Sequence, residues 1–359
     1  IEGPSAYVEL EYHGGDRVSV SIDQMDKLSK YLGGGENPTL NKIGGGEFER
    51  IKARVRKSIS LMTINLKKLY AERKSAKGFI FSEDNALTYE FENSFEFEET
   101  EDQLISVQEI KRDMESSKVM DRLLCGDVGF GKTEVALRAC FKAVMDGKQV
   151  AIIAPTTILS EQHFMTAKSR FENFGVRIAV LNRFRTPANQ NKTITAIKNG
   201  EVDVVIGTHR LFSKDIKFKD LGLLVIDEEQ RFGVEHKERL KTLKENVDTL
   251  TLSATPIPRT LHLSLSGIRD ISTINTPPKQ RLPVQTVVTE LTDSLIKDAV
   301  VRELSRDGQV FILYNRVDSI YKFADKISQI VPEAKIIVAH GQMKERELEN
   351  NIASFYRGD

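Results

Sequence analysis

Tryptophan is absent from this chain and cysteine nearly so: 359 residues hold only Cys125 and Cys140. Two thiols are too few for a disulfide framework. Cys125 closes an apolar run and Cys140 falls in a helical pattern, so both read as buried free thiols of a reducing compartment. No apolar run approaches the roughly eighteen residues of a membrane-spanning helix, and no membrane partner is expected. The N-terminus, IEGPSAYVEL, lacks a basic stretch followed by an apolar one, so no secretory leader is expected. Ile1 is not a start methionine, which points to a fragment or a processed chain. Six histidines (His13, His163, His209, His236, His262, His340) form no metal-ligand spacing with each other or with the cysteines, so no zinc site is expected. Net charge is lacking too, with 52 Lys+Arg against 52 Asp+Glu, which argues against a uniformly basic nucleic-acid binder.

The zero hides an asymmetry. Residues 42–77 carry eleven basic side chains against three acidic ones, and 83–102 carry nine acidic and no basic residues. Such blocks are solvated faces or docking surfaces, and charge alone does not decide between them.

What is present is strong patterning. AYVELEYHGGDRVSVSI alternates around a Gly-Gly turn: Val8, Leu10 and Tyr12 share one face, and Val18, Val20 and Ile22 answer them on the returning strand, which predicts a β-hairpin and a small β-domain over residues 1–40. From Phe48 the period changes. Ile51, Val55, Ile59, Met62, Leu66 and Leu69 recur every three or four residues among Lys and Arg, the pattern of a long amphipathic helix with a basic outer face within 41–82. Short apolar, β-branched runs then alternate with helical stretches: RLLC (122–125), VAIIA (150–154), RIAVL (177–181), VDVVIG (202–207), LLVID (223–227) and TLTLS (249–253). This is the signature of an α/β domain with a parallel sheet covered on both faces, expected over 83–280. TPPKQRLP at 276–283 reads as a linker. A second α/β unit, 281–359, is expected to place strands near VQTVV, QVFILY and AKIIVAH.

The chemistry concentrates at LLCGDVGFGKTE. Gly126, Asp127, Val128, Gly129, Phe130, Gly131, Lys132 and Thr133 spell G-x-x-x-x-G-K-T between an expected strand and an expected helix, the context a P-loop requires. Glycines let backbone N–H groups approach phosphates, and a helix N-terminus adds favourable partial charge. Lys132 would reach the β- and γ-phosphates, and the Thr133 hydroxyl would ligate Mg²⁺. A chance Gly-rich turn is the competing reading, disfavoured by the flanking strand and helix. In LGLLVIDEEQ another apolar run ends in Asp227 and Glu228. Asp227 would hold Mg²⁺ and Glu228 would orient and deprotonate the attacking water. ATP and Mg²⁺ are therefore the expected ligands.

The surrounding strings narrow the class. DEEQ, then SAT at 253–255, APTTILSEQH at 154–163 and GTHRLF at 207–212 resemble motifs II, III, Ia and Ib of superfamily 2 helicases. DEEQRFGVEHKERL and LSATPIPRTLHLSLSGIRD resemble the branch that holds the RecG helicases and the bacterial transcription-repair coupling factors. YVELEYHGGDRVSVSIDQMDKLSKYLGG, LNKIGGGEFERIKARVRKSI and LYAERKSAKGF resemble the polymerase-interacting domain and connecting helix of the coupling factors, where a RecG helicase has an OB-fold wedge domain.

The resemblance implies a P-loop, RecA-like helicase lobe and the start of a second RecA-like lobe, preceded by a Tudor-like β-barrel and a long connecting helix. It implies that Gln103 reads adenine and that Thr156, Thr157, Thr208, His209 and, in AHGQM of the second lobe, His340 contact DNA. Gln230, Ser253 and Thr255 would couple nucleotide state to DNA grip. A local loop or helix-cap hydrogen bond is the competing role for each loop residue. The implied partners are double-stranded DNA, the RNA polymerase β-subunit through residues 1–40, and excision-repair proteins through regions outside this sequence, in a bacterial cytoplasm. A string like the arginine-bearing QLRGRVGR of motif VI does not occur, and Arg346 and Arg357 are poor substitutes, so weak ATP hydrolysis by this chain alone is expected. Two alternatives stay open: a RecG-like branched-DNA helicase, and a polymerase-docking module whose ATPase motifs are inert.

Overall fold

A computed structural model of the chain describes residues 7–12, 15–21, 50, 78–232, 246–254, 269–279, 281 and 284–358. The chain divides into two compact units, Ile1–Glu72 and Arg73–Asp359.

In the first unit the expected hairpin forms. Strands β1 (Tyr7–Glu11) and β2 (Arg17–Ser21) pair antiparallel, with Val8 opposite Val20 and Leu10 opposite Val18. The Tyr12 N–H donates to Asp16 O at 2.8 Å and closes the turn. Tyr7, Glu9 and Glu11 are exposed while Val8 and Leu10 are half-buried, the alternation of a one-sided strand. The remainder of the expected barrel and nearly all of the basic helix lie outside the described residues.

In the second unit, helices α1 (Ala86–Asn93) and α2 (Glu101–Met114) precede a seven-stranded parallel sheet. Its strands are β3 (Asp121–Gly126), β4 (Gln149–Ile153), β5 (Ile178–Leu181), β6 (Val204–Gly207), β7 (Leu221–Asp227), β8 (Asp248–Ser253) and β9 (Asp270–Ile274), in the spatial order β5-β6-β4-β7-β8-β3-β9. Helices α3 (Lys132–Met145), α4 (Thr157–Phe171) and α5 (Pro187–Asn199) follow β3, β4 and β5. All six runs expected as strands are strands, and β9 is an addition. The period of two is visible in the core. Val150, Ile152, Leu223 and Val225 face one apolar cluster with Phe91, Phe141 and Phe171. Ala151, Ile153, Leu224 and Ile226 face the other with Leu181, Phe212 and Phe232.

Part of the acidic block is neither a solvated face nor a docking surface. Lys142 and Arg138 of α3, 2% and 3% exposed, are buried cations. Lys142 pairs with Asp84 at 3.0 Å and Glu115 at 2.6 Å, Lys111 with Asp84 and Glu92 at 2.5 Å, and Arg138 with Glu99 at 2.7 Å and Glu134 at 3.0 Å. A buried cation without partners is strongly destabilising, so the acidic segment is bound inward by the charges it neutralises. Burial would raise the Asp84 carboxyl, but hydrogen bonds from Lys111 and Lys142 outweigh it and hold the group below the usual aspartate value.

The C-terminal stretch corrects one expectation. Helices α6 (Asp293–Leu304), α7 (Ile320–Ile330) and α8 (Glu345–Arg357) form, and Ile296, Val300, Ile327 and Val331 make a small core. No strand forms at 284–288, 309–314 or 334–340. Val288 is 96% and Leu313 93% exposed. A strand exists by exchanging backbone hydrogen bonds with a neighbour, and among the described residues these segments have no ladder partner. The latter two are tethered by side chains: Asn351 Nδ2 donates to Val338 O at 2.9 Å, and Phe311 packs on Phe355 of α8.

Candidate nucleotide-binding site

Parallel strands aim their carboxyl ends, and the loops that follow, at one edge of the sheet. β8 lies between β7 and β3, so the P-loop after β3 and the acidic pair after β7 flank the end of β8, where Ser253 is buried opposite Cys125.

The P-loop is shaped by glycine. Gly129 and Gly131 have φ of 79° and 82°, the left-handed region that side chains rarely adopt. A Cβ at Gly131 would also lie 2.4 Å from Gln103 Nε2. Gly131 is the N-cap of α3 and no side chain caps the helix, so its first-turn N–H groups are left to a ligand. Lys132 Nζ folds back and donates to Gly126 O at 2.6 Å and Asp127 O at 2.9 Å. Burial pushes the Lys132 ammonium below the usual lysine value, opposed by the carboxylates of Asp227, Glu228 and Asp127. Thr133, the second residue of α3, is half-buried, and Val128 is exposed on the loop.

Asp227 ends β7, and its Oδ2 accepts a hydrogen bond from His163 Nε2 at 2.9 Å. Glu228 has φ of 50° and ψ of 51°, a costly conformation for a residue with a Cβ. Its N–H donates to Leu252 O at 3.0 Å. Both carboxylate oxygens are held: Oε1 accepts from the Ala254 N–H at 3.1 Å and Oε2 from Gln230 Nε2. Glu228 and Gln230 of motif II are thereby tied to the motif III backbone between Ser253 and Thr255. Thr255 itself lies outside the described residues.

Gln103 is buried and already engaged. It is the third residue of a capping box with Thr100, where its Oε1 accepts from the Thr100 N–H at 3.0 Å. Its Nε2 donates to Phe130 O at 2.9 Å, so the amide braces the P-loop.

In the loop after β4 a hydroxyl serves as a helix cap. Thr156 Oγ1 accepts from the Leu159 N–H at 3.2 Å as N-cap of α4, which leaves its own O–H as a donor. Thr157 and Thr208 are buried, and Thr208 stands at the N-cap position of the short 3₁₀ turn His209–Phe212 without a side-chain bond to that turn. His340 pairs through Nε2 with the Tyr321 hydroxyl at 3.2 Å, in the C-terminal stretch.

Several residues escape the sequence reading. His163 closes the APTTILSEQH string yet touches the motif II carboxylate. Arg281, inside the supposed linker, sits over the Phe130 ring at 4.9 Å, with Nη1 and Nη2 each 3.4 Å from Asp127 Oδ2. The approach to Arg281 is pinned by Asp102, whose Oδ2 accepts from the N–H groups of Asn275 and Thr276 and the Thr276 hydroxyl, each at 2.9 Å. Asn275 and Thr276 are thus tied to the start of α2, and Arg281 to the P-loop. Sequence signals for these roles are slight, since contacts across 64 residues (His163 to Asp227) and across more than 150 (Arg281 and Asp102) leave no local period.

No group of three or more His, Cys, Asp or Glu among the described residues could hold a metal. The donors on hand are one carboxylate, Asp227, and one hydroxyl, Thr133. That is a fit for Mg²⁺, a hard cation that takes few protein oxygens and completes its shell with phosphates and water.

Residues 100–263 match the DEAD/DEAH box helicase family. Over 98% of its length the chain is 56% identical to the transcription-repair-coupling factor of Bacillus subtilis (strain 168) and 55% identical to that of Staphylococcus aureus (strain USA300), and it spans 30% of the length of each. The solved structure of RecG bound to a three-way DNA junction superposes with a TM-score of 0.69 and 34% identity, covering 87% of this chain and 42% of that one. The resemblance read from the motifs therefore holds: the chain is similar nearly end to end to a segment of the transcription-repair-coupling factors, and its residues 100–263 match the DEAD/DEAH box helicase family.

Proposed function

We propose that this chain is the motor-bearing segment of a translocase that uses ATP hydrolysis to move along double-stranded DNA. The observation that carries the reading is the convergence of Lys132, Asp227 and Glu228 at one edge of the sheet, with Glu228 tied to motif III through Ala254 and Gln230. Lys132 exchanges its two carbonyl partners for β- and γ-phosphate oxygens. The α3 N-terminus and the backbone from Gly126 to Gly131 cradle the remaining phosphate charge. Thr133 and Asp227 hold Mg²⁺, which neutralises phosphate charge when bound. Glu228 accepts the proton of the attacking water once one of its two hydrogen bonds opens. Gln103 supports the loop and reads adenine from the same position. Thr156, Thr157, Thr208, His209 and His340 donate to the phosphates of a tracked strand, contacts that carry no sequence information. Ser253, Thr255 and Gln230 pass the nucleotide state to them.

In the whole protein the N-terminal hairpin domain binds the RNA polymerase β-subunit by strand-edge pairing, and other regions recruit excision-repair proteins in the bacterial cytoplasm. The identity to coupling factors, 56% against 34% for RecG, favours this over branched-DNA remodelling.

The test is ATP hydrolysis with and without duplex DNA, by this chain and by its longer natural protein, each beside Lys132→Ala and Glu228→Gln. Weak turnover by this chain, DNA-stimulated turnover by the longer protein and loss in both variants are expected. Stimulated turnover that survives Glu228→Gln overturns the assignment. Triplex displacement from a blunt duplex, without unwinding of a fork, separates translocation from a RecG-like activity.

A further inference from the structure

Helix α4 follows β4, and β4 is hydrogen-bonded to β7, so α4 reaches the end of the strand that carries Asp227. Its N-cap Thr156 and its residues His163 and Arg170 recur every seven positions. Seven residues make about two helical turns, which aligns them along one side. Thr156 caps the N-terminus beside the loop proposed to meet DNA. His163, with 12% of its side chain exposed, donates from Nε2 to Asp227 Oδ2 at 2.9 Å. Arg170 donates from Nε and Nη2 to the two carboxylate oxygens of Glu134 at 2.9 and 2.8 Å, a bidentate pair that fixes angle as well as distance. Glu134 directly follows Thr133. One helix therefore grips both halves of the Mg²⁺ site, the carboxylate directly and the hydroxyl through its neighbour, and presents its N-terminus to the strand-tracking loop.

Arg170 is itself locked, with Nη2 on Phe91 O at 2.8 Å and its guanidinium 4.1 Å over the Phe91 ring. The far end of α4 is thus fixed in the core, which holds His163 in register with Asp227. An N–H on one carboxylate oxygen fixes the rotation of the whole group, which sets where the other oxygen stands for a cation. Such outer partners of metal ligands typically change metal affinity by about 10- to 100-fold when removed.

We infer that His163 is a positioning residue for the Mg²⁺-holding carboxylate of Asp227. The inference rests on the ATP reading above and adds a residue that reading does not use.

The test measures binding of a fluorescent non-hydrolysable ATP analogue to the 359-residue chain, first with chelator and then with increasing Mg²⁺. His163→Ala is expected to leave metal-free affinity within about twofold and to raise the Mg²⁺ concentration at half-effect by about tenfold. His163→Gln, which keeps an N–H donor, recovers most of that loss. His163→Met, similar in volume and without a donor, replaces the alanine variant should that fail to fold. Equal losses with and without Mg²⁺ would mean that the pair only supports the fold and would overturn the inference, as would an unchanged Mg²⁺ dependence. A wild-type chain that binds no nucleotide overturns the ATP reading and this inference with it, whereas a wild-type chain that binds while the variants match it overturns this inference alone.

Discussion

Two stretches of this chain carry the same sequence signal and take different structures. VAIIA at 150–154 and VQTVV at 284–288 are both short, apolar and β-branched. The first lies in β4 between β6 and β7, buried on both faces. The second is extended, unpaired and exposed, with Val288 at 96%. Side-chain pattern specifies readiness to be a strand, and the ladder partner decides whether a strand exists. The functional edge of the molecule is built on the first kind, and its geometry inherits the rigidity of seven mutually bonded strands.

The largest effect that tests this contrast is amide hydrogen exchange. Backbone N–H groups of β4 and β7 should exchange on the order of 10³-fold or more slowly than those of 284–288 and 335–340, because only the former need substantial unfolding to open. Comparable protection in both would dissolve the comparison.

Next is side-chain truncation. Leu224→Ala, at a fully buried position in β7, should cost about 2–5 kcal/mol in chemical denaturation. Val288→Ala should stay within about 0.5 kcal/mol. A Val288 cost near that of Leu224 would show that 284–288 packs against something.

Smaller again is a pH effect confined to the ionic collar of the sheet domain. The folded Asp84 carboxyl lies below its ordinary value of 3.8. A depressed carboxylate contributes stability that is present above the unfolded value and is lost as pH falls through the folded one. Thermal unfolding of the wild type should therefore drop more steeply below about pH 3.8 than that of Asp84→Asn, which starts less stable at neutral pH. Parallel curves would remove the collar from the account.

The smallest effect belongs to Arg281, where the two regions meet. Its pair with Asp127 is half-exposed, and such pairs count for little, so Arg281→Ala should change nucleotide affinity by less than about fivefold. A loss of tenfold or more would make 275–281 part of the binding site rather than its border.

Legibility divides along physical lines. The six expected strands and the P-loop helix follow from local rules, since apolar period and Gly-Lys-Thr spacing are readable within a dozen residues. β9 was missed because DISTI, at the sheet edge beside β3, has only two buried positions, Ile274 and Ser272. The acidic block is ambiguous because its partners Arg138 and Lys142 come from a later helix, and sequence does not tell a buried cation from an exposed one. Lys132, Asp227 and Glu228 could be named from motifs. Their engagement could not: no spacing rule announces that Lys132 rests on the Gly126 and Asp127 carbonyls of its own loop, and Gln103 reaches Phe130 across 27 residues. His163 stood in plain view at the end of a motif, but only the adjacency of β4 and β7 gives it a carboxylate to hold.

Glu228 combines a left-handed backbone with a carboxylate on which both oxygens are engaged. On the function proposed here, the resting motor keeps its own base out of service. Water beside a bound phosphate meets an acid that is already satisfied, and hydrolysis waits until Gln230 or Ala254 lets go. The fold would then contain an idle gear: fuel can be loaded without being burned, and the release of one hydrogen bond at the motif III backbone is the act that engages the drive.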